Sequence, residues 1–423
     1  MLDIQKEIDS CAAAGGGVVT LPPGIYRCGT IRLRSGVELH LMKGAELRGS
    51  RSIADYAPPP EGFIDGAGQE RGRSLIVGCG ISDAAVTGEG VIDGQGDAFP
   101  DGSPDFSRRP MLLRMVNSRN IRLSGVKLRA PAAWTCHLRN CENVSVTRLD
   151  ISSHANSNND GIDIDSCRKV TVSRCRIDSG DDAVCLKSTL PSPCEDVEVT
   201  DCVLATEASA VKFGTESYGD MRRITIRRCR VDRADAGAVK ILSADGAVIE
   251  DVLVSDIRID RASAPVFIRL GSRCRVYDPE LPRRETGKIR RIRVENLRGV
   301  ITPRSAPIIN GNFPHPTPVL GHNCLAVMGL PGHPVQQVVL RDIDLTFPGG
   351  MTAPAPEAVP DFPESYPEVG YYGVLPASCV YLKHVEDVDF SGFSPTVTAP
   401  DSRQIAFFEA SSEVTFPAPA GRR

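Results

Sequence analysis

The feature that most limits what this chain can become is a short alternation: apolar, any, apolar, any, any, Cys or apolar, any, apolar. It recurs nine times, beginning at Ile121, Val144, Val170, Val197, Ile224, Val252, Ile292, Val338 and, in degraded form, Val388. Its fullest version reads Val170, Val172, Cys175, Ile177, and the first five steps are 23, 26, 27, 27 and 28 residues. Period two over short β-branched runs, with Asp-Ser-Gly or Ala-Asp-Gly between them, signals strands and turns. A helical repeat needs period 3.6, which the sequence lacks.

Each repeat holds a second alternating run. Cys136 and Leu138, Ile162 and Ile164, Val184 and Leu186, Val211 and Phe213, Val239 and Ile241, then Val266 and Ile268 align as inward pairs. Several five-residue strands on a rung near 27 residues predict an all-β fold, a parallel β-helix whose coils stack about 4.8 Å apart. A β-propeller blade needs roughly 40 to 50 residues. Only the late steps of 40, 46 and 50 residues are that long, and they read as coils carrying insertions at 269–288, 303–334 and 347–376. Loops lengthened on one side of a solenoid commonly wall a cleft.

The expected organisation is therefore one domain over 1–423. Residues 1–50 form an N-terminal cap, 51–346 the main coils, and 347–423 the C-terminal loops and last coils. Leu2–Ala14 is an amphipathic cap helix ended by Gly15-Gly16-Gly17.

Composition narrows the partners. Lys+Arg 49 against Asp+Glu 53 gives a net charge of −4, with no basic block to track a phosphate backbone, so nucleic acid is not an expected partner. No apolar run reaches about 18 residues, so no membrane span is expected. Asp3, Lys6, Glu7 and Asp9 interrupt the start where a signal peptide would be apolar, which predicts a cytoplasmic protein or one whose leader has been removed. The 14 Cys lack zinc-site spacing, and Cys175, Cys202 and Cys229 recur at one structural position, so they read as buried thiols. No metal and no redox or nucleotide cofactor is expected.

The outward positions carry the chemistry. Two before each first inward residue stand Trp134, Asp160, Asp182, Ser209 and Gly237; between the inward pairs stand His137, Asp163, Cys185, Lys212, Lys240 and Phe267. A solvated face is the plain reading of any one of these residues. The cluster asks for more, because carboxylates about 5 Å apart repel by roughly 3 kcal/mol at an effective dielectric near 20. Such a group either retains a proton, giving a general acid beside ionised bases, or binds a cation such as calcium through Asn158, Asp160, Asp181 and Asp182.

At these residues the chain resembles glycoside hydrolase family 28, the polygalacturonases and their relatives. Asn158-Asn159-Asp160-Gly161-Ile162-Asp163 is similar to the family's Asn-Thr-Asp-Gly-x-Asp, and Gly180-Asp181-Asp182 to its paired aspartates one coil later. The likeness runs from Gly15-Gly16-Gly17 and Pro22-Pro23-Gly24-Ile25-Tyr26, through Gly90-Val91-Ile92-Asp93-Gly94-Gln95-Gly96, to Tyr366-Pro367-Glu368 and Leu375-Pro376-Ala377. It implies a right-handed parallel β-helix and an inverting glycosidase acting on galacturonate-containing pectin. Asp181 would be the general acid, and Asp160 and Asp182 would activate water.

Two motifs depart from the family. Its Gly-His-Gly stands here as Ser209-Ala210 without the His, and its Arg-x-Lys keeps only Lys240. His137 and His154 are the candidates for the missing His. Asn158, Lys212, Lys240, Arg269, Arg273 and Glu216 are the candidates for contact with an acidic sugar, and Trp134 for stacking on one. Tyr366, Tyr371, Tyr372, Glu364 and Glu368 could close one end of a groove, which would make the action exo. The rival readings are a calcium-dependent polysaccharide lyase and a non-catalytic carbohydrate-binding β-helix.

Overall fold

The computed structural model describes residues 3–66, 68–100, 108–303 and 324–417. It divides into two compact units, Met1–Ala208 with Tyr277–Leu281, and Ser209–Val276 with Pro282–Arg423. Each is built of coils of a right-handed parallel β-helix, the hand that crossovers between parallel strands almost always take.

In the first unit every full coil contributes three strands. The first family runs Met111–Val116, Cys136–Arg139, Ile162–Asp165 and Val184–Ser188, paired in parallel with Leu113, Cys136, Ile162 and Val184 in register. The second runs Arg119–Ser124, Glu142–Thr147, Arg168–Ser173 and Cys194–Thr200, with Ile121, Val144, Val170 and Val197 aligned. The third holds Lys127–Arg129, Asp150–Ser153, Arg176–Ser179 and Val203–Thr206. The inward members of these rows are buried, which is the alternation expected from the sequence.

Corners between strands need the left-handed backbone region, and Asn tolerates it better than most residues. Asn117, Asn120, Asn140 and Asn143 all adopt φ between 49° and 57°. Their amides bond from coil to coil, Asn140 Nδ2 to Asn117 Oδ1 and Asn143 Nδ2 to Asn120 Oδ1, each at 2.7 Å.

The cap helix spans Ile4–Ala13 and buries Ile4 and Ile8; the Asp3 side chain accepts from the Lys6 amide at 3.1 Å, satisfying one donor of the first turn. All 14 cysteines stand as thiols rather than disulfides. Cys175, Cys202 and Cys229 share one local geometry, each sulfur lying 3.3–3.4 Å from the carbonyl oxygen two residues before it.

In the second unit Ser209–Ser217, Gly237–Ser243, Val266–Leu270, Leu325–Met328, Ala377–Lys383 and Gln404–Glu409 form one row of strands. The remaining strands grow long: Val248–Ala262, Lys288–Ile301, Val335–Gly349 and Val385–Ala399. Ile224, Val252, Ile292, Val338 and Val388 are in register, so the late repeats are coils and not blades. The expected insertion at 303–334 lies mostly outside the described residues. No helix among the described residues is long and apolar enough to cross a membrane.

Candidate active site

The aspartates converge because backbone bonds hold neighbouring coils in register. The Thr135 amide donates to the Asp160 carbonyl and the Gly161 amide to the Asp182 carbonyl, both at 2.9 Å, so Trp134, Asp160 and Asp182 stack at one coil position. Asp163 follows within its strand, opposite His137 on one side and Cys185 on the other. Both glycines of the two acidic motifs are required for close approach. A Cβ on Gly161 would lie 2.5 Å from the Ala183 carbonyl oxygen, and one on Gly180 would lie 2.7 Å from Asn159 Oδ1.

Asp160, Asp163 and Asp182 are buried, whereas Asp181 is partly exposed. Burial first, then the charges of Asp163, Asp181 and Asp182, outweigh Lys187 and hold the Asp160 carboxyl well above the usual carboxylate range. The protonation belongs to the group as much as to Asp160. The Asp181 main chain is fixed by Ser179 Oγ and Thr206 Oγ1, which both donate to its carbonyl at 2.6 Å, and its Oδ1 accepts from the Asp182 amide at 2.9 Å.

The cation beside these carboxylates is Lys187, one outward position beyond those named from the sequence. Lys187 Nζ lies 3.5 Å from Asp163 Oδ1, 4.0 Å from Asp160 Oδ2 and 4.4 Å from the centre of the Trp134 ring. It is the next outward position after Cys185, so continuing the same alternation by two residues would have named it. Ligand-capable atoms of Asp160, Asp182 and Cys185 also come within 4.8 Å of one another. A thiol is a poor partner for oxygen-seeking calcium, and the Asn158 amide oxygen already accepts from Arg109 Nη2 at 2.9 Å.

The outward residues of the strand row carrying His137, Asp163, Cys185 and Lys187 are covered instead of solvated. A short antiparallel pair, Phe63–Ile64 with Glu70–Arg71, brings Phe63 to 5.7 Å from Trp134 and 4.8 Å from His137, centroid to centroid. Arg71, ion-paired to Asp65 at 2.6 Å, stands 4.4 Å from the centre of the Trp134 ring. Trp134 is 3% exposed and so packs within the protein rather than presenting an open stacking platform.

His137 is fully buried. Burial, helped by the Arg114 charge and opposed by Asp165, pushes its imidazole down to about 3, so it is neutral. Arg114 Nε donates to its Nδ1 at 3.3 Å. Burial raises the Asp165 carboxyl, but His137, Arg139 and Thr189 more than offset this and hold it below the usual range. Arg139 is also paired with Glu61. His154 lies elsewhere on the surface, 2.9 Å from Asp178 and 3.6 Å from Glu207. Asn158 is held in left-handed backbone, and Arg109 pins its loop through Asn156, Ser157 and Asn158. Sequence reasoning missed Arg109, which belongs to no repeat position.

The second unit places Lys212, Lys240 and Phe267 in one row, in the register expected. Here too the row is covered. Both lysines pair with Glu368, Lys212 at 3.4 Å and Lys240 more closely, and Lys212 lies 3.5 Å from the Tyr366 hydroxyl. Burial raises the Tyr366 hydroxyl to about 12, with Lys212 opposing and Glu368 and Glu216 reinforcing the shift. Glu216 is itself buried. Arg269, fully buried, donates to the Tyr372 hydroxyl at 2.5 Å, to the Gly329 carbonyl at 2.6 Å and to the Asp361 carbonyl. Arg273 grips Asp245 through two bonds of 2.8 and 2.6 Å. These two arginines are thus bound up in the scaffold, and the segment 361–372 is what covers the lysine row.

Comparison with known proteins settles the lineage. The family model for glycosyl hydrolases family 28 matches residues 61–313, more than half of the chain. The chain belongs to this family. A probable polygalacturonase of Vitis vinifera is 27% identical over 284 residues, covering 64% of this chain and 52% of that protein. The chain thus spans about half the length of this curated relative. Among solved structures, a family 28 exopolygalacturonase of Yersinia enterocolitica superposes with a TM-score of 0.73 at 18% identity, covering 97% of this chain and 74% of that one. An exopolygalacturonase of Thermotoga maritima gives 0.65 at 22% identity, covering 81% and 82%. These two likenesses establish the pectinase-type β-helix fold.

Proposed function

We propose that the chain hydrolyses a glycosidic bond in an acidic, galacturonate-containing pectic polysaccharide or oligosaccharide, with inversion and from a chain end. The observation that carries this reading is the convergence of Asp160, Asp163, Asp181 and Asp182 in one coil region, with Asp160 raised and Asp181 the partly exposed member. General acid catalysis needs a carboxyl that reaches the leaving oxygen, and water activation needs carboxylates beside it. Asp181 is assigned the acid role, and Asp160 and Asp182 the activation of water, on the family resemblance; the partial exposure of Asp181 is compatible with that assignment.

Asn158 is assigned to sugar contact on the family resemblance, with no metal required; in the second unit Glu216 is buried, and Lys212 and Lys240, both paired with Glu368, are given to that loop contact. Exo action is supported by the segment 361–372, which closes over the lysine row of its own unit, and by the likeness to two exopolygalacturonases noted above.

The test is incubation with homogalacturonan, rhamnogalacturonan and their oligomers, with product sizing and proton NMR of the first-formed anomer. Inversion and early mono- or disaccharides with little viscosity loss support the proposal; initial retention or rapid viscosity loss refutes the corresponding part. A lyase on the same fold would instead release an unsaturated uronate with ultraviolet absorbance.

A further inference from the structure

We propose that Lys187 is the internal counter-ion of the aspartate cluster, a positioning residue whose ammonium holds the Asp160 and Asp163 carboxyls together so that the cluster can work as an acid-base group. The proposal rests on the reading of that cluster as the reaction centre.

The geometry is specific to this side chain. Its ammonium lies within 4.0 Å of both carboxyls, and its strand pairs Lys187 directly opposite Asp165, so the lysine is aimed by the ladder and not by a flexible loop. The side chain is 6% exposed and both acidic partners are 5% exposed or less, so solvent screens these attractions little. The Trp134 ring backs the ammonium from 4.4 Å with a face that attracts a cation without neutralising it.

Within this unit the other charged or titratable groups around Lys187 are accounted for. Asp165 is engaged by Thr189 at 2.8 and 2.6 Å and lies 3.5 Å from Arg139. Arg71 answers Asp65. His137 is neutral. Cys185 is a thiol two residues before Lys187. Asp181 and Asp182 act on Asp160, against which Lys187 is the one opposing charge among the leading influences. A compact ammonium suits this task better than a planar guanidinium, because it must serve two carboxyls at once without demanding a bidentate fit to either.

A counter-ion role entails a compensation that simple packing does not. Removing the ammonium should let the cluster retain its proton to higher pH, and removing one carboxylate as well should restore the balance. The variants are Lys187→Met, Lys187→Arg and the double variant Lys187→Met/Asp163→Asn. The first readout is ¹³C-carboxyl NMR titration of aspartate-labelled enzyme, with Asp160 assigned through Asp160→Asn. The second is the pH profile of kcat/KM on pectic oligomers.

In Lys187→Met the Asp160 midpoint and the acidic limb of activity should move up by about one pH unit or more. Activity at mildly acidic pH should then fall about tenfold, since one unit changes the ionised fraction by that factor. Lys187→Arg should keep most of the parent behaviour, and the double variant should move the midpoint back. An unmoved Asp160 midpoint in Lys187→Met overturns the proposal. So does a double variant whose midpoint is no lower than that of Lys187→Met. If Lys187→Met fails to fold, recovery of folding and titration in the double variant supports the proposal, and failure of both overturns it. Because the NMR titration needs no substrate, a wrong substrate assignment would leave every variant and the parent inactive without altering this outcome.

Discussion

Lys240 and Glu368, 128 residues apart in the chain, form an ion pair in which both side chains are buried. One belongs to the regular ladder and the other to a proline-rich insertion, so this pair fastens the loop to the coil. Removing one partner strands a buried charge. Glu368→Ala should therefore destabilise the protein by about 3–5 kcal/mol, read from urea unfolding midpoints. The double variant Lys240→Met/Glu368→Leu, although it still leaves Lys212 without Glu368, should lose less than the sum of the single changes. Additive losses would mean that the two charges do not depend on each other.

Asp181→Asn should lower kcat at least about 10²-fold with little change in KM, as expected when a general acid is lost. Steady-state kinetics on the best substrate from the pectin screen decide this. A KM effect alone would make Asp181 a binding residue.

Asp160 is strained by its neighbours, and this has a consequence for stability. Its folded-state affinity for a proton is raised, so between the ordinary carboxylate pKa and the raised one the native state binds more protons than the unfolded state, and stability falls as pH rises. Asp160→Asn should melt at a higher temperature than the parent at pH 7, and the difference should close as pH falls towards 4. Thermal melts across that range test it; a variant less stable at pH 7 would show that the carboxylate charge is fully compensated.

His137 should be silent in the working pH range. With its pKa lowered to about 3, it stays neutral where an ordinary histidine titrates, and its imidazole NMR signals should not shift between pH 8 and pH 5. The sign for stability follows: the unfolded chain takes up this proton first, so the contribution is lost as pH falls below the ordinary histidine value towards about 3. A histidine-like midpoint near neutrality for this ring would contradict the buried placement.

The ladder was legible because period two fixes both register and facing. Cys136, Ile162 and Val184 align as their alternation requires, as do Val211, Val239 and Val266. The stacking of Trp134, Asp160 and Asp182 follows from that register. What the pattern could not convey is cover. An outward position is solvated only if nothing lies over it, and the segments that bury His137 and Lys240 come from residues 61–71 and 361–372, which carry no repeat. Sequence alone points Trp134, Arg269 and Arg273 towards sugar for the same reason: their partners Arg71, Tyr372 and Asp245 belong to different stretches of chain, and local spacing does not reveal them. Lys187 is the exception, since the alternation that named Asp163 and Cys185 reaches it two residues later.

The free thiols of this chain also bear on how the protein can be handled. Burial raises the sulfhydryls of Cys194 and Cys324 to about 12, leaving little thiolate to react at neutral pH. Because no cross-link fastens one coil to the next, reducing agents have nothing in this framework to cut. The protein should refold after dilution from denaturant containing dithiothreitol, with no oxidative shuffling step and no need for a disulfide isomerase.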